Sequence, residues 1–408
     1  EWRLFSKPAP AGGLANQTRS CLSWVATLKS PPAQIMDANR DEPDALTGRI
    51  DEKFRPVFEA CDSASRKALF QYFLPARSRK PRLAPTRPRL IKWYCPFASQ
   101  KVFPSGHRYC LNVYAGCGHR CLYCYAAAYS PERPAPKRDF ERLLRKDLED
   151  LERFNVPPAP LHLSNSTDPF QPLEARHGHA RLALEKILET RHRFTTVTVL
   201  TKNPLGAATK GCLELFKALT ILPDGHPRHA AFSASGIPPF CVEVSLAFWR
   251  QEAASVYDRC APTPEERREG IRRLRAAGIP VVLRIDPLFP RSPLPGGLAL
   301  NHFGLTEAQT LQDLEQLVRF AREMAVRHVV YSTVKIVQPR GRPLDPAMGR
   351  LRLVFEKMAA PGRPPFHSGS WRLPTPLAGQ VVVQPFLALC ADYGVQAKHC
   401  MRNLIEAP

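Results

Sequence analysis

The chain of 408 residues is long enough for one barrel-sized domain with extensions, or for two or three smaller domains. With 44% hydrophobic and 23% charged residues it has a globular composition, and no apolar run approaches the roughly 20 residues that cross a bilayer, which leaves no candidate membrane-spanning helix. A net charge of +21 favours DNA or another nucleic acid as partner, because neutralised phosphates release counterions, although the Arg bias and 42 prolines also fit a GC-rich coding sequence.

In chain order, residues 1–35 lack sustained periodicity and precede the first methionine, Met36, so they are expected to be a disordered or non-native leader. No basic start leads into an apolar stretch with a small-residue cleavage site, and the expected location is the cytoplasm. Residues 36–74 carry a helical pattern (Ile50, Phe54, Val57, Phe58, Cys61) and predict a helical extension. Residues 75–108 read as a basic, Pro-rich linker; "PARSRKPRLAPTRPRLIK" at 75–92 holds seven basic side chains and no acid.

From residue 109 to 335 short apolar runs alternate with helical patterns. Strands are predicted at 109–113, 161–165, 196–201, 242–247, 281–285 and 329–334, and helices at 138–153, 175–191, 208–219, 264–277 and 307–327. The 264–277 helix is the clearest, with Thr263 as N-cap, Glu266 three residues on and Gly278 closing it. About six alternations call for an α/β fold with a parallel sheet, a partial (β/α)6 barrel short of the eight units that close a full one. Residues 221–240 interrupt the alternation and predict an exposed insertion, and residues 336–408 form a small C-terminal extension.

The twelve cysteines are spread from Cys21 to Cys400, too dilute for a disulfide scaffold, and cluster only in "CLNVYAGCGHRCLYCYAAAY" at 110–129. Cys117, Cys121 and Cys124 have the spacing C-x3-C-x2-C after the first predicted strand, with Gly116 and Gly118 letting the backbone curl around a ligand. Zinc wants four ligands, usually in two pairs, and His119 sits awkwardly between the first two thiols. Three thiolates on a four-iron cluster would leave one iron open to a substrate or cofactor.

This spacing, with Tyr123 before the third cysteine and a partial barrel following, resembles the radical S-adenosylmethionine enzymes. The resemblance implies a 4Fe-4S cluster whose open iron chelates S-adenosyl-L-methionine, a one-electron reductant such as flavodoxin or ferredoxin, and reductive cleavage to a 5′-deoxyadenosyl radical that abstracts hydrogen. Across about residues 109–335 the chain is similar to the spore photoproduct lyase group. That likeness implies that Tyr123 and Tyr125, on either side of Cys124, relay the radical. "LSNSTDPFQPLE" at 163–174 nominates Thr167 and Asp168 for the methionyl amino group, "VLTKNP" nominates Lys202 for its carboxylate, and "VEVSLAF" nominates Ser245. The lyases place a hydrogen-donating cysteine three residues before that aspartate; here the position is Asn165, and an amide has no weak bond to hydrogen that a carbon radical can take.

Elsewhere, Cys95 and Cys110 read as packed thiols, and Cys390, Cys400 and His399 fall short of a second metal site. Arg284 and Asp286 stand at the end of the fifth strand, as a mutual pair or as ligands of ribose or substrate. His226, His229 and Cys241 around the insertion read as non-ligands. Three functions remain open: a lyase-like radical enzyme acting on nucleic acid, with carbon-carbon cleavage or a related DNA repair; a radical enzyme modifying a peptide, RNA or a small molecule; and a nucleic-acid-binding protein with a structural cluster and no turnover.

Overall fold

The computed structural model describes residues 49–50, 52, 55–60, 66, 90–92, 109–153, 158–226, 229–359, 365–367 and 369–400. The leader at 1–35, most of the 36–74 extension and nearly all of the basic 75–108 segment lie outside the described residues. Within the extension, Arg55–Ala60 is helical.

Eight strands form one sheet whose spatial order follows the chain: β1 (Ile91–Lys92), β2 (Tyr109–Leu111), β3 (Ala159–Leu163), β4 (Phe194–Thr201), β5 (Phe240–Ser245), β6 (Val281–Leu288), β7 (Val329–Thr333) and β8 (Ala397–His399). β1 pairs antiparallel with β2, and every later neighbour is parallel. Parallel neighbours need a crossover, and each gap in the run carries a helix. These are α1 (Phe140–Arg153), α2 (His179–Glu189), α3 (Lys210–Leu219), α4 (Pro264–Ala276) and α5 (Leu311–Glu323), with α6 (Pro346–Met358) and α7 (Gln384–Asp392) between the last two strands. Six parallel strands were expected; the C-terminal extension supplies a seventh, β8.

Alternation along the strands sorts the two faces. Val197, Val199, Val242, Val244, Leu283, Ile285 and Val329 are fully buried on one face, where Phe216 of α3 stacks on Phe240 at 5.0 Å between ring centroids. The other face carries a register row of Cys110, His162, Thr198 and Cys241, with Glu243 and Arg284 further along. A buried carboxylate anchors the sheet edge: Asp147 of α1 accepts the backbone amides of Leu90 at 2.7 Å and Ile91 at 2.8 Å.

The predicted α4 is present, with Thr263 and Glu266 exchanging the reciprocal bonds of a capping box. Three expectations need correction. The single helix at 175–191 is divided at Gly178, which takes a left-handed φ of 60°, because Glu174 accepts the amides of Ala180 at 2.8 Å and Arg181 at 3.0 Å and so starts a fresh helix. The 307–327 helix shrinks to α5, where Thr310 and Asp313 cap its start. The 221–240 insertion is partly packed: it holds a helix at His229–Ser235, Phe232 and His226 are buried, and His226 Nε2 lies 3.2 Å from the Phe194 carbonyl.

α4 crosses the short helix Pro204–Ala207 at Gly270. A Cβ there would fall 2.5 Å from the Leu205 amide nitrogen and 2.6 Å from the Pro204 carbonyl carbon, contacts that backbone cannot relieve cheaply. Gly270→Ala is therefore expected to destabilise the protein by about 1–3 kcal/mol, the usual cost of overpacking, although alanine is the better helix former. A thermal melt checks this; an unchanged or raised midpoint would refute the close approach.

Candidate metal centre

Because β2 to β8 run parallel, their C-terminal ends share one edge, and the cysteine loop leaves β2 at that edge. Buried Gln171 clamps the loop, accepting the Gly118 amide at 2.7 Å and donating to the Gly116 carbonyl at 3.2 Å. On the far side the Leu122 amide donates to the Tyr257 carbonyl at 2.9 Å. Gly116 adopts a left-handed φ of 75°, with a Cβ position 3.1 Å from the Pro131 carbonyl, so glycine is required there.

Cys117, Cys121 and Cys124 form no disulfide, and each is half-buried. Burial pushes the Cys117 thiol up to about 12, with the Asp168 charge adding to it, while the backbone amides of His119 and Asp168 oppose the rise. Burial likewise raises Cys121 and Cys124; Cys124 adds to the rise at Cys117, and Cys117 and Cys124 add to it at Cys121. Amides of Ala126 and Ala127 and the Lys202 ammonium favour the Cys124 thiolate. Three half-buried thiols therefore share one loop, with amide donors on two sulfurs and a cation nearby. Such thiols ionise only when a metal offsets the loss of water. Among the described residues, no three His, Cys, Asp or Glu side chains converge as ligands of a single metal ion.

His119, 2% exposed, turns away from the thiols: Nε2 lies 3.1 Å from Asp168 Oδ2 and Nδ1 lies 3.3 Å from the Cys260 carbonyl. Asp168 Oδ1 accepts the Phe170 amide at 2.9 Å and the Thr201 hydroxyl at 2.8 Å, and Oδ2 accepts the Lys202 amide at 2.6 Å. Burial disfavours its charge, yet His119 and these amides outweigh burial and hold the carboxyl below its usual range. The Thr167 hydroxyl donates to Asn112 Oδ1 at 3.3 Å. Lys202 Nζ donates to the Tyr123 hydroxyl at 2.7 Å and lies 3.5 Å from Asp258. Ser245 ends β5, and its carbonyl accepts from Arg267 at 3.3 Å.

The two tyrosines around Cys124 part company. Tyr123 donates to Asp258 at 2.6 Å and packs its ring against Phe248 and Phe289. Tyr125 is 37% exposed, donates to the Asn165 carbonyl at 2.6 Å, and neighbours Tyr129, 51% exposed, whose hydroxyl donates to Ser166 at 3.1 Å. Asn165 Nδ2 donates to Cys110 Sγ at 3.4 Å, so the thiol treated as mere packing in the sequence touches the residue that stands where the lyases have theirs.

On the inner face, Arg284 donates to Glu243 and to Asp286 at 2.6 Å each, Ser332 bonds Asp286, and His162 Nε2 lies 3.8 Å from Glu243. Arg284 and Asp286 are thus a mutual pair within a wider network. Cys390 is buried in α7, whereas Cys400 packs against Cys241, Val282 and Val330. Sequence reasoning missed Asp258, Arg267, Gln171, Tyr129 and Glu243. None lies in a recognisable spacing; only the polar residue at an inward strand position, Glu243, offered a signal.

No family model matches the chain. Uncharacterized proteins of Mycobacterium bovis and Mycobacterium tuberculosis are 27% identical over 192 residues, 45% of this chain and 50% of theirs; the chain spans about half the length of the curated relatives it matches. Among solved structures, a spore photoproduct lyase variant is similar with a TM-score of 0.49 at 12% identity, covering 77% of this chain and 80% of that one. A lyase variant with bound AdoMet and dinucleoside spore photoproduct has a TM-score of 0.44 at 12% identity, covering 72% and 76%. Streptococcus suis SuiB bound to S-adenosylmethionine has a TM-score of 0.36 at 13% identity, covering 58% and 42%.

Burial opposes the charge on Glu243, but Arg284 and His162 overcome it and hold the carboxyl well below its usual range. A depressed folded value gives stability that is complete above the unfolded value near ~4.3 and is lost as pH falls through the folded one. Glu243→Gln is expected to cost about 3–5 kcal/mol at pH 7, since it leaves Arg284 under-compensated. The gap to the unsubstituted protein should narrow as pH drops below about 4. Urea titrations from pH 7 to pH 2 read it, and a gap constant with pH would contradict the assignment.

Proposed function

We propose that the chain is a radical S-adenosylmethionine enzyme of the spore photoproduct lyase-like group, acting on nucleic acid. The observation that carries this reading is the trio of half-buried thiols, none in a disulfide, in one clamped loop at the C-terminal edge of a parallel sheet. The donor set fits the group: three sulfurs, amide donors to Cys117 and Cys124, and a cation beside them match what a polynuclear iron-sulfur centre asks of its surroundings. Cys117, Cys121 and Cys124 would hold a 4Fe-4S cluster, which when loaded supplies the electron that cleaves S-adenosyl-L-methionine to a 5′-deoxyadenosyl radical.

The chain's own residues bind and orient. Thr167, Asp168, Lys202 and Ser245, nominated for the cofactor, all stand at or just beyond the ends of β3, β4 and β5, on the edge that carries the loop. Phe248, Phe289 and Tyr257 pack together behind Tyr123 and keep water from that side. Nucleic acid as substrate rests on the +21 charge. Carbon-carbon cleavage belongs to the same proposal, with Asn165 as its open question. A flavodoxin- or ferredoxin-type donor would deliver the electron in a cytoplasmic setting. Among the described residues no helix is long and apolar enough to cross a membrane.

Anaerobic reconstitution with iron and sulfide, then reduction with S-adenosylmethionine present, is expected to yield 5′-deoxyadenosine and methionine, with about four irons bound per chain. Cys121→Ala should lose both the product and most of the iron. Failure of reconstituted, unsubstituted protein to form 5′-deoxyadenosine would sink the enzyme reading. Cofactor cleavage without any change to ultraviolet-irradiated DNA would move the substrate to a peptide, RNA or small molecule.

A further inference from the structure

Beside the cysteine loop, four side chains close on one another, and two of them come from segments that carry no motif. Asp258, fully buried just after the helix Gln251–Tyr257, accepts the Tyr123 hydroxyl at 2.6 Å and Arg267 Nη1 at 2.8 Å, and lies 3.5 Å from Lys202 Nζ. Arg267 is buried on α4, where Nε donates to the Pro262 carbonyl at 2.8 Å. Its Nη2 is buried without a hydrogen-bond partner. A closed structural ion pair would set one cation against Asp258. Here two cations flank one carboxylate, and a guanidinium N–H is left over.

The surplus has a direction. Tyr123, between Cys121 and Cys124, bonds both Asp258 and Lys202, and the neighbouring Leu122 amide donates to the Tyr257 carbonyl at 2.9 Å, so the group lies directly against the cysteine loop. The Tyr123 hydroxyl donates its proton to Asp258, so it adds no charge of its own. Counting Lys202 and Arg267 against Asp258, the group carries +1 in a pocket walled by aromatic rings, where a charge acts at close to full strength. Three thiolates gathered in that pocket would otherwise be uncompensated anions.

We propose that Asp258, Lys202 and Arg267 form a fixed charge group that offsets the thiolates of Cys117, Cys121 and Cys124 and sets the reduction potential of the cluster they hold. The inference rests on the iron-sulfur reading and makes Asp258 and Arg267 positioning residues, since neither reaches substrate. Reduction adds a negative charge to the cluster. A nearby cation favours the reduced form, and a nearby carboxylate disfavours it.

The test is a spectroscopically monitored redox titration of the reconstituted full chain. Asp258→Asn should raise the reduced-to-oxidised ratio at fixed potential at least tenfold, and Arg267→Gln should lower it at least tenfold, about 59 mV each way for one electron. Arg267→Lys, which keeps the charge, should stay within threefold of the unsubstituted protein, and Tyr123→Phe likewise. Arg267→Gln should also lose iron to a chelator faster than Arg267→Lys. Damage to the fold alone would move Asp258→Asn and Arg267→Gln in the same direction, so shifts of the same sign, or shifts under twofold, overturn the proposal. If Arg267→Gln does not fold, as judged by circular dichroism, Lys202→Met takes its place with the same expected sign. Failure of the unsubstituted protein to bind iron would refute the iron-sulfur reading itself, whereas a normal cluster with an unmoved potential refutes only this inference.

Discussion

Asp168 is the knot on which the site depends. Its two oxygens receive the Thr201 hydroxyl and the Lys202 amide from the end of β4, the Phe170 amide from its own turn, and the close approach of His119 from the middle of the cysteine loop. One carboxylate thereby fixes the ends of two neighbouring strands and the loop that carries the thiols. The geometry demands a charged acceptor: a neutral amide in its place would present a donor where a donor already points. Gln171 repeats the device three residues later, and both residues come from the stretch after β3. The loop is held by its neighbours more than by its own backbone, as expected for a segment whose ligand supplies much of its internal order.

The sheet is unusual for parallel strands, which are commonly apolar on both faces. Here the face away from the helices carries His162, Glu243, Arg284, Asp286 and Ser332, tied by ion pairs and hydrogen bonds across β3, β5, β6 and β7. Burying these charges is costly, and hydrophobic packing would be at least as stable. These pairs make part of this face a polar wall beside the apolar cluster of Cys241, Val282 and Val330. The pairs are complete enough to hold the wall rigid.

Much of the architecture was legible because it is local. Period-2 and period-3.6 apolar patterns located all six expected strands and the five main helices, and Thr263 with Glu266 marked the start of α4 to the residue. Where the pattern misled, a side chain settled the matter: Glu174 restarted a helix across Gly178, and Thr310 delayed one. The cysteine spacing was legible for the same reason. Asp258 and Arg267 were not. Arg267 stands in "PEERREGIRRLRA", one arginine among five, and nothing in the string tells the buried one from those that pair with glutamates in solvent. Burial of that position is decided by Pro204 and Leu205 pressing on Gly270 from another part of the chain, a contact no local pattern encodes.

Tyr123 and Tyr125 show how far a motif carries and where it stops. In sequence they bracket Cys124 symmetrically. In the fold the Tyr123 proton points at a buried carboxylate, its oxygen receives the Lys202 ammonium, and its ring is wedged between two phenylalanines, so taking a hydrogen atom from it would leave charged groups facing a hole. Tyr125 has an ordinary carbonyl as partner, exposure on one side and a second tyrosine beside it. Of the two, Tyr125 is the more exposed and the less tied, and Tyr123 is held as a strut between charged partners and aromatic rings. Asn165 then acquires a physical sense: its carbonyl receives Tyr125 and its amide lies against the Cys110 thiol. One residue thus links the more open phenol to the Cys110 thiol of β2.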